Sequence, residues 1–90
     1  MIVKETKKLE ISKELEKKIE FICRFANVKY KLINGNIISL SNTNIAYVRP
    51  HILQVNNNDY LLFDDSDDVF INGYKNKIKL KDLENYIKNN

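Results

Sequence analysis

Three groups of side chains in this chain of 90 residues have types and spacing that could support chemistry or binding. The first consists of Tyr47, Arg49 and His51, which stand at every second position. On an unbroken strand these side chains would project from one face, because alternate residues of a strand point to the same side. A histidine exchanges protons near neutral pH, an arginine stabilises a phosphorane and a tyrosine donates a proton. A metal-independent ribonuclease needs groups of this kind.

Two features of the sequence weaken a catalytic interpretation of this group. Pro50 interrupts the strand between Arg49 and His51, and a proline cannot donate a hydrogen bond to a neighbouring strand. His51 is the only histidine, so a pair of histidines acting as acid and base is excluded. The alternative is a lone surface histidine beside an amphipathic tyrosine and arginine. We therefore predict no catalytic residue, and we keep Tyr47, Arg49 and His51 as a candidate surface for a partner.

The second group is an acidic run of aspartates between residues 64 and 68. Its first residues resemble the start of a calcium-binding loop, but Val69 replaces the glycine of the sixth position and Lys75 replaces the glutamate of the twelfth. We therefore expect no metal site. A compact negative patch can instead engage basic clusters on another protein. The alternatives are a solvated turn kept soluble by its charge and a turn whose aspartates pair with the nearby lysines. The candidate partner-binding residues of this run are Asp64, Asp65, Asp67 and Asp68.

The third group is a row of lysines, Lys75, Lys77 and Lys79, that follows the acidic run. At strand spacing the three ammonium groups share one face at intervals of about 7 Å, which suits phosphates or an acidic protein surface. The alternative is an edge strand whose lysines prevent aggregation. The row contains no arginine, and Tyr74 is the only aromatic residue beside it, which weakens the nucleic-acid interpretation.

Several other chemistries lack the residues that they need. One cysteine and one histidine cannot supply a four-ligand zinc site of those residue types. The only glycines are Gly35 and Gly73, so there is no glycine-rich phosphate loop. Cys23 lies on the flank of an apolar helix face, where a cysteine is usually a small packed side chain rather than a nucleophile. We predict no cofactor and infer no small-molecule substrate.

The first element that positions these groups is a helix predicted after Ser12. Ser12 is a typical N-cap, acidic residues occupy the first turn, and Asn27 is a plausible stop. The helix has a single apolar stripe at the 3.6-residue period, flanked by Cys23 and Phe25. The stripe consists of Leu15, Ile19, Ile22 and Ala26.

After this helix the hydrophobic period changes to two, which predicts strands. Asn34-Gly35 and Asn72-Gly73 each stand between apolar runs, and Asn-Gly is the strongest short signal for a hairpin turn. The stretches 41–44 and 56–59 are predicted to be a loop and a turn, and Pro50 predicts an edge or a bend. A short helix is expected from Leu80, Leu83 and Ile87.

These elements predict one α+β domain over residues 1–90. In this arrangement the amphipathic N-terminal helix packs on a small antiparallel β-sheet or meander, and a short C-terminal helix completes the layer. The helix stripe should be buried against the sheet, with Leu62, Ile71 and Leu83 also inside.

The sequence excludes some classes of function more clearly than it selects one. A net charge of +3 permits nucleic-acid binding but is too small to argue for it alone. No segment approaches the roughly 20 apolar residues of a membrane span, and the first residues lack the apolar run of a signal peptide. A single cysteine fits a reducing compartment. We expect a cytoplasmic protein that does not engage a membrane.

We predict a small non-enzymatic protein that binds a macromolecular protein partner stoichiometrically. An inhibitor, an immunity protein or a phage or mobile-element accessory factor would fit. The alternatives are a nucleic-acid-binding module that uses the lysine row and, less favoured, a small metal-independent ribonuclease. Clustering of Lys29 and Lys31 with the lysine row would favour nucleic acid, and a concave site around His51 would favour an enzyme. A flat face bordered by the aspartates would favour a protein partner.

Overall fold

A computed structural model of the chain describes residues 4–41 and 43–89. The helices are α1 (Lys13–Ala26) and α2 (Leu83–Lys88), and a 3-10 turn over Leu80–Asp82 leads into α2. The strands are β1 (Lys4–Leu9), β2 (Lys31–Ile33), β3 (Gly35–Leu40), β4 (Ala46–Arg49), β5 (His51–Val55), β6 (Asn58–Leu62), β7 (Asp68–Ile71) and β8 (Asn76–Lys79).

Helix α1 begins and ends where the sequence predicts. The Ser12 hydroxyl accepts a hydrogen bond from the Leu15 amide at 3.2 Å, which satisfies one of the unpaired donors of the first turn. Asn27 closes the helix in the left-handed conformation, with φ of 56°, which asparagine tolerates better than most residues. Both boundaries are therefore determined by local side-chain chemistry.

The apolar stripe of α1 is rotated slightly from the prediction. Its fully buried residues are Leu15, Ile19 and Cys23, whereas Ile22 and Ala26 are only partly buried. Cys23 thus lies at the centre of the stripe rather than on its flank. Burial raises the pKa of the Cys23 thiol to about 11, which suits a packed apolar side chain and not a nucleophile. Phe25 is 65% exposed.

The prediction of a turn at Asn34-Gly35 is wrong. Ile33 pairs with Ile52 and Asn36 pairs with Arg49, so a single register continues straight through this point. The chain reverses farther on, between β3 and β4. Glycine is needed at position 35 for another reason: an added Cβ would overlap the Arg49 carbonyl oxygen and lie 2.8 Å from the Pro50 carbonyl oxygen. Asn34-Gly35 and Pro50 therefore mark a place where two strands cross closely.

We call the paired strands β2-β3 and β4-β5 the long hairpin. On one side of the crossing the hairpin pairs with β1, and on the other side it pairs with β6. The predicted single small sheet is therefore in fact two antiparallel sheets. Beyond the crossing lies the arm, a three-stranded sheet of order β1-β3-β4. On the other side lies the body, which combines a five-stranded sheet of order β2-β5-β6-β7-β8 with α1, the 3-10 turn and α2. The chain is elongated, with principal extents of 48 × 27 × 21 Å.

The main core lies between the helices and one face of the body sheet, which we call the inner face. Alternate residues of each strand point to this face. The predicted core positions Leu15, Ile19, Leu62, Ile71 and Leu83 are buried there, which confirms the packing of α1 on the sheet. The complete buried cluster is Leu15, Ile19, Cys23, Leu53, Val55, Tyr60, Leu62, Val69, Ile71, Leu80, Leu83 and Ile87.

Asparagines supply the tight turns of the body. Val55 pairs with Asn58, so Asn56 and Asn57 form a two-residue hairpin loop with φ of 51° and 67°. Positive φ at both central positions is the requirement of a type I′ turn. The hairpin predicted at Asn72-Gly73 is confirmed, but its loop has four residues because Ile71 pairs with Asn76.

Candidate functional site

His51 lies at the junction between arm and body and is almost completely buried, with 1% of its surface exposed. Its Nδ1 accepts a hydrogen bond from the Gly35 amide at 2.9 Å, and its Nε2 lies 2.9 Å from Asp64 Oδ2. Because Nδ1 is an acceptor, the ring proton belongs on Nε2, where it is donated to the Asp64 carboxylate. Both ring nitrogens are therefore occupied within the protein.

Asp64 connects this histidine to the start of α1. Its other oxygen, Oδ1, accepts a hydrogen bond from the Ser12 amide at 2.8 Å. Burial on its own would raise the pKa of the Asp64 carboxyl, but the hydrogen bonds from Ser12 and His51 outweigh it and lower the pKa below the usual value. Nearby, the Asn34 side chain accepts a hydrogen bond from the Ile11 amide at 3.2 Å. We call these contacts the junction network.

The junction network changes the interpretation of the first candidate group. The expectation that His51 is a surface residue is wrong, because the strand carries it into the body where it pairs with Leu62. Tyr47 and Arg49 stay exposed on the arm. The structure thus separates the three side chains on the two sides of Pro50, and His51 acts as a structural link between distant segments.

Half of the acidic run is likewise engaged in internal contacts. Asp68 forms ion pairs with Lys79 at 2.8 Å and with Lys77 at 3.8 Å. The hydrogen bond from Lys79 is the main cause that lowers the pKa of Asp68, and the same contact raises the pKa of Lys79. Asp64 belongs to the junction network, so Asp65 and Asp67 remain as the exposed carboxylates of the run that stand outside these contacts. Within residues 4–41 and 43–89, no three acidic, histidine or cysteine side chains stand together as a metal site.

Only two of the three lysines in the predicted row lie on a strand. Lys77 and Lys79 lie on β8 and share its outward side, while Lys75 belongs to the preceding loop. Lys31 lies on β2, at the opposite edge of the five-stranded sheet. Four strand spacings, or about 19 Å, separate these edges, so Lys31 does not cluster with the row.

The most distinctive apolar surface is one that the sequence analysis did not single out. The face of the body sheet that turns away from the helices carries one cross-strand row of half-buried side chains. Among the described residues no helix packs on this row, because α1 and α2 both join the core of the inner face. We call this row, which consists of Ile33, Ile52, Leu61 and Phe70, the outer row.

Two further aromatic rings contact Phe70 at the end of the outer row nearest β8. The Phe70 ring makes edge contacts with Phe63, with centroids 6.4 Å apart, and with Tyr74, with centroids 5.0 Å apart. Lys77 pairs with Phe70 in the ladder, so the ion pairs of Asp68 border the aromatic end. A sequence signal for this surface exists. The strands contain adjacent apolar residues, such as Leu61 and Leu62, where a strand with one solvated face shows strict alternation.

A second surface is a groove of about 610 Å³ between α1 and the segment that enters α2. Its apolar part includes Phe21, whose ring stacks on Phe25 with centroids 6.3 Å apart. Charges of both signs surround the groove, so it favours neither an anionic nor a cationic ligand. The lining residues are Lys18, Phe21, Ile22, Asp67, Lys79, Leu80, Lys81 and Glu84.

Comparisons with protein-family models, with curated proteins and with solved structures found no match to this chain. Across the described ranges, neither helix has the length and apolar character that crossing a bilayer requires.

Proposed function

We propose that this chain is a non-enzymatic binding protein that holds a protein partner stoichiometrically on the outer row. The supporting observation is the half-buried apolar row Ile33, Ile52, Leu61 and Phe70 on the sheet face that turns away from the helices. A sheet with only one face packed usually presents polar residues on the other. Apolar patches of this kind, rimmed by charge, are typical of surfaces that bind other proteins.

The charges beside the outer row fit a supporting role in such an interface. Asp68 pairs with both Lys77 and Lys79, so it offsets one of their two positive charges at the border of the row. Asp65 and Asp67 remain free to steer a basic partner toward the protein, since exposed charges affect association rate more than affinity. The predicted charged residues would thus form the rim of the interface, and apolar side chains its centre.

The two alternatives have less support from the geometry. A nucleic-acid module would be favoured by clustered lysines, whereas Lys31 and Lys77 lie at opposite edges of the body sheet. A ribonuclease centred on His51 would need solvent access to its ring, which is 1% exposed and hydrogen-bonded on both nitrogens. The neighbouring polar groove includes Ser12 and Asp64 in its lining, but His51 does not line it.

The test is recovery of partners from the native host with tagged wild-type protein and two lysine variants. Leu61→Lys places a charge within the outer row. Phe25→Lys is the matched control, because it adds the same charge at an exposed apolar position on the other side of the molecule. Each preparation is divided and treated with or without nuclease, and circular dichroism verifies that both variants fold.

We expect wild type and Phe25→Lys to recover the same stoichiometric protein after nuclease treatment. Leu61→Lys should lose about tenfold or more in affinity, as for a residue at the centre of an interface. Recovery that disappears on nuclease treatment would favour the nucleic-acid alternative. Equal recovery by folded Leu61→Lys would overturn the proposed site.

A further inference from the structure

The edge strands of the described sheets differ in a way that the proposed function does not explain. The arm has edges β1 and β4, and the body has edges β2 and β8. Edge strands expose unpaired backbone groups, and natural proteins commonly protect them with lysines. β4 has no lysine, and its Tyr47 and Val48 side chains are 50% and 51% exposed. Lysines do stand on the other edges: Lys4, Lys7 and Lys8 on β1, Lys31 on β2, and Lys77 and Lys79 on β8.

The backbone pattern of β4 identifies which of its groups are available. Leu40 and Ile45 face each other at the end of the β3–β4 ladder, and the Leu40 amide donates a hydrogen bond to the Ile45 carbonyl at 3.2 Å. Leu40 and Ile45 are therefore a hydrogen-bonded pair of the ladder. Hydrogen-bonded and non-bonded pairs alternate along an antiparallel ladder. Tyr47 and Arg49 therefore direct their backbone groups toward β3. The amides and carbonyls of Ala46 and Val48 point to the free edge.

These free groups are complementary to those of a second copy of the same strand. If two β4 strands lie antiparallel with Tyr47 opposite Tyr47, each Ala46 faces the Val48 of the other copy. Each such pair exchanges two hydrogen bonds, about four in all. A register centred on Val48 would instead place Ala46 opposite Pro50, which has no amide proton to donate. Of these two registers, only the one centred on Tyr47 gives every free group of Ala46 and Val48 a partner that both donates and accepts.

The side chains suit the same register. Two tyrosines face each other at the centre in a non-hydrogen-bonded pair, where opposed Cα atoms lie about 4.5 Å apart and aromatic side chains make favourable contacts. Arg49 faces Ile45 of the other copy, so no like charges are opposed across the new ladder. The register centred on Tyr47 is related by a twofold axis perpendicular to the sheet, the symmetry of a closed dimer.

We propose that β4 is a self-association edge, through which two copies of this chain join their arms into one continuous six-stranded sheet of order β1-β3-β4-β4-β3-β1. This dimer goes beyond the proposed function and does not depend on it, because the outer row lies on the body sheet. The partner that the edge fits is a second copy of the chain.

The first test is the mass in solution of the full chain, measured by sedimentation equilibrium over a concentration series. Val48→Lys adds a lysine to the free edge, where it would oppose Ala46 of the other copy. Thr6→Lys is the matched control, because it adds a lysine to the exposed edge strand on the other side of the arm. Circular dichroism verifies the fold of both variants.

We expect wild type and Thr6→Lys to approach twice the chain mass of 10.6 kDa, and Val48→Lys to remain at that mass. A wild type that stays monomeric at every soluble concentration would overturn the proposal. So would a dimer that persists in Val48→Lys.

The second test determines the register by oxidative crosslinking. A Tyr47→Cys dimer would have Cα atoms about 4.5 Å apart, within the range of a disulfide. Arg49→Cys would face Ile45 of the other copy, far from its own counterpart. The native Cys23 is buried and does not compete. We expect a disulfide-linked dimer for Tyr47→Cys only, and efficient crosslinking of Arg49→Cys instead would overturn the proposed pairing.

Discussion

Replacement of Asp64 should reveal how much the junction network contributes to folding. In wild type the Asp64 carboxylate accepts hydrogen bonds from the buried His51 ring and from the Ser12 amide. Leucine at position 64 can accept neither of these hydrogen bonds. Asparagine offers one carbonyl oxygen, so it can satisfy the histidine but not both donors. Asp65→Leu is the matched control, because Asp65 is exposed and next in sequence.

The magnitude follows from the burial of His51. Leaving a buried donor without a partner costs about 1–3 kcal/mol. The Ser12 contact adds less, because Asp64 reaches solvent and water can replace part of it. We therefore expect Asp64→Leu to lower the free energy of unfolding by about 2–3 kcal/mol, and Asp64→Asn by about 1 kcal/mol. For a domain of this size the larger loss corresponds to a decrease in Tm of about 10–20 °C.

The assay is urea and thermal denaturation of the three variants and wild type at pH 7, repeated at lower pH. The folded-state pKa of Asp64 lies below its ordinary value of 3.8, so its contribution is complete above that pH. As pH falls through the lowered folded-state pKa, the difference between wild type and Asp64→Leu should shrink. If Asp64→Leu is as stable as Asp65→Leu at pH 7, the junction network contributes nothing measurable and the reasoning fails.

Three further predictions follow from burial, close contact and charge. In urea denaturation, Leu15→Ala should lower the free energy of unfolding by about 2–4 kcal/mol, and Ile22→Ala should lower it clearly less, because only Leu15 is fully buried. Equal losses would contradict the orientation of α1. Gly35→Ala should destabilise the chain in the same assay because its Cβ would overlap the Arg49 carbonyl, and a neutral effect would mean that the strands do not cross so closely. Reversing Asp65 and Asp67 to lysine should slow association with a protein target in surface plasmon resonance at low salt, whereas tighter binding would indicate a nucleic-acid target.

The features that the sequence predicted correctly depend on neighbouring residues. Ser12 and Asn27 define α1 through contacts within a few positions, so the capping rules suffice. Leu62, Ile71 and Leu83 belong to apolar runs or helical spacings that are visible along the chain, and all three are buried. The change from a helical to a strand period also identified the α+β class, although not the division into two sheets.

The features that the sequence did not predict depend on distant residues. Asn34-Gly35 has the composition of a turn, but the long register with residues 46–55 outweighs that local preference. The burial of His51 requires Asp64 and the Gly35 amide, 13 and 16 residues away, and no spacing rule connects them. The outer row was accessible in principle, because adjacent apolar residues such as Leu61 and Leu62 indicate a strand that is apolar on both faces.

The unbroken register of the long hairpin has a consequence for how this protein can change over evolution. Because β2 and β3 pair with β5 and β4 in one frame, two residues added to each side near the tip would extend the arm by about 7 Å. Every side chain would keep its face, since the strand period is two. The body and the junction network would stay as they are. The length of the arm can therefore change during evolution without changing the contacts that stabilise the body.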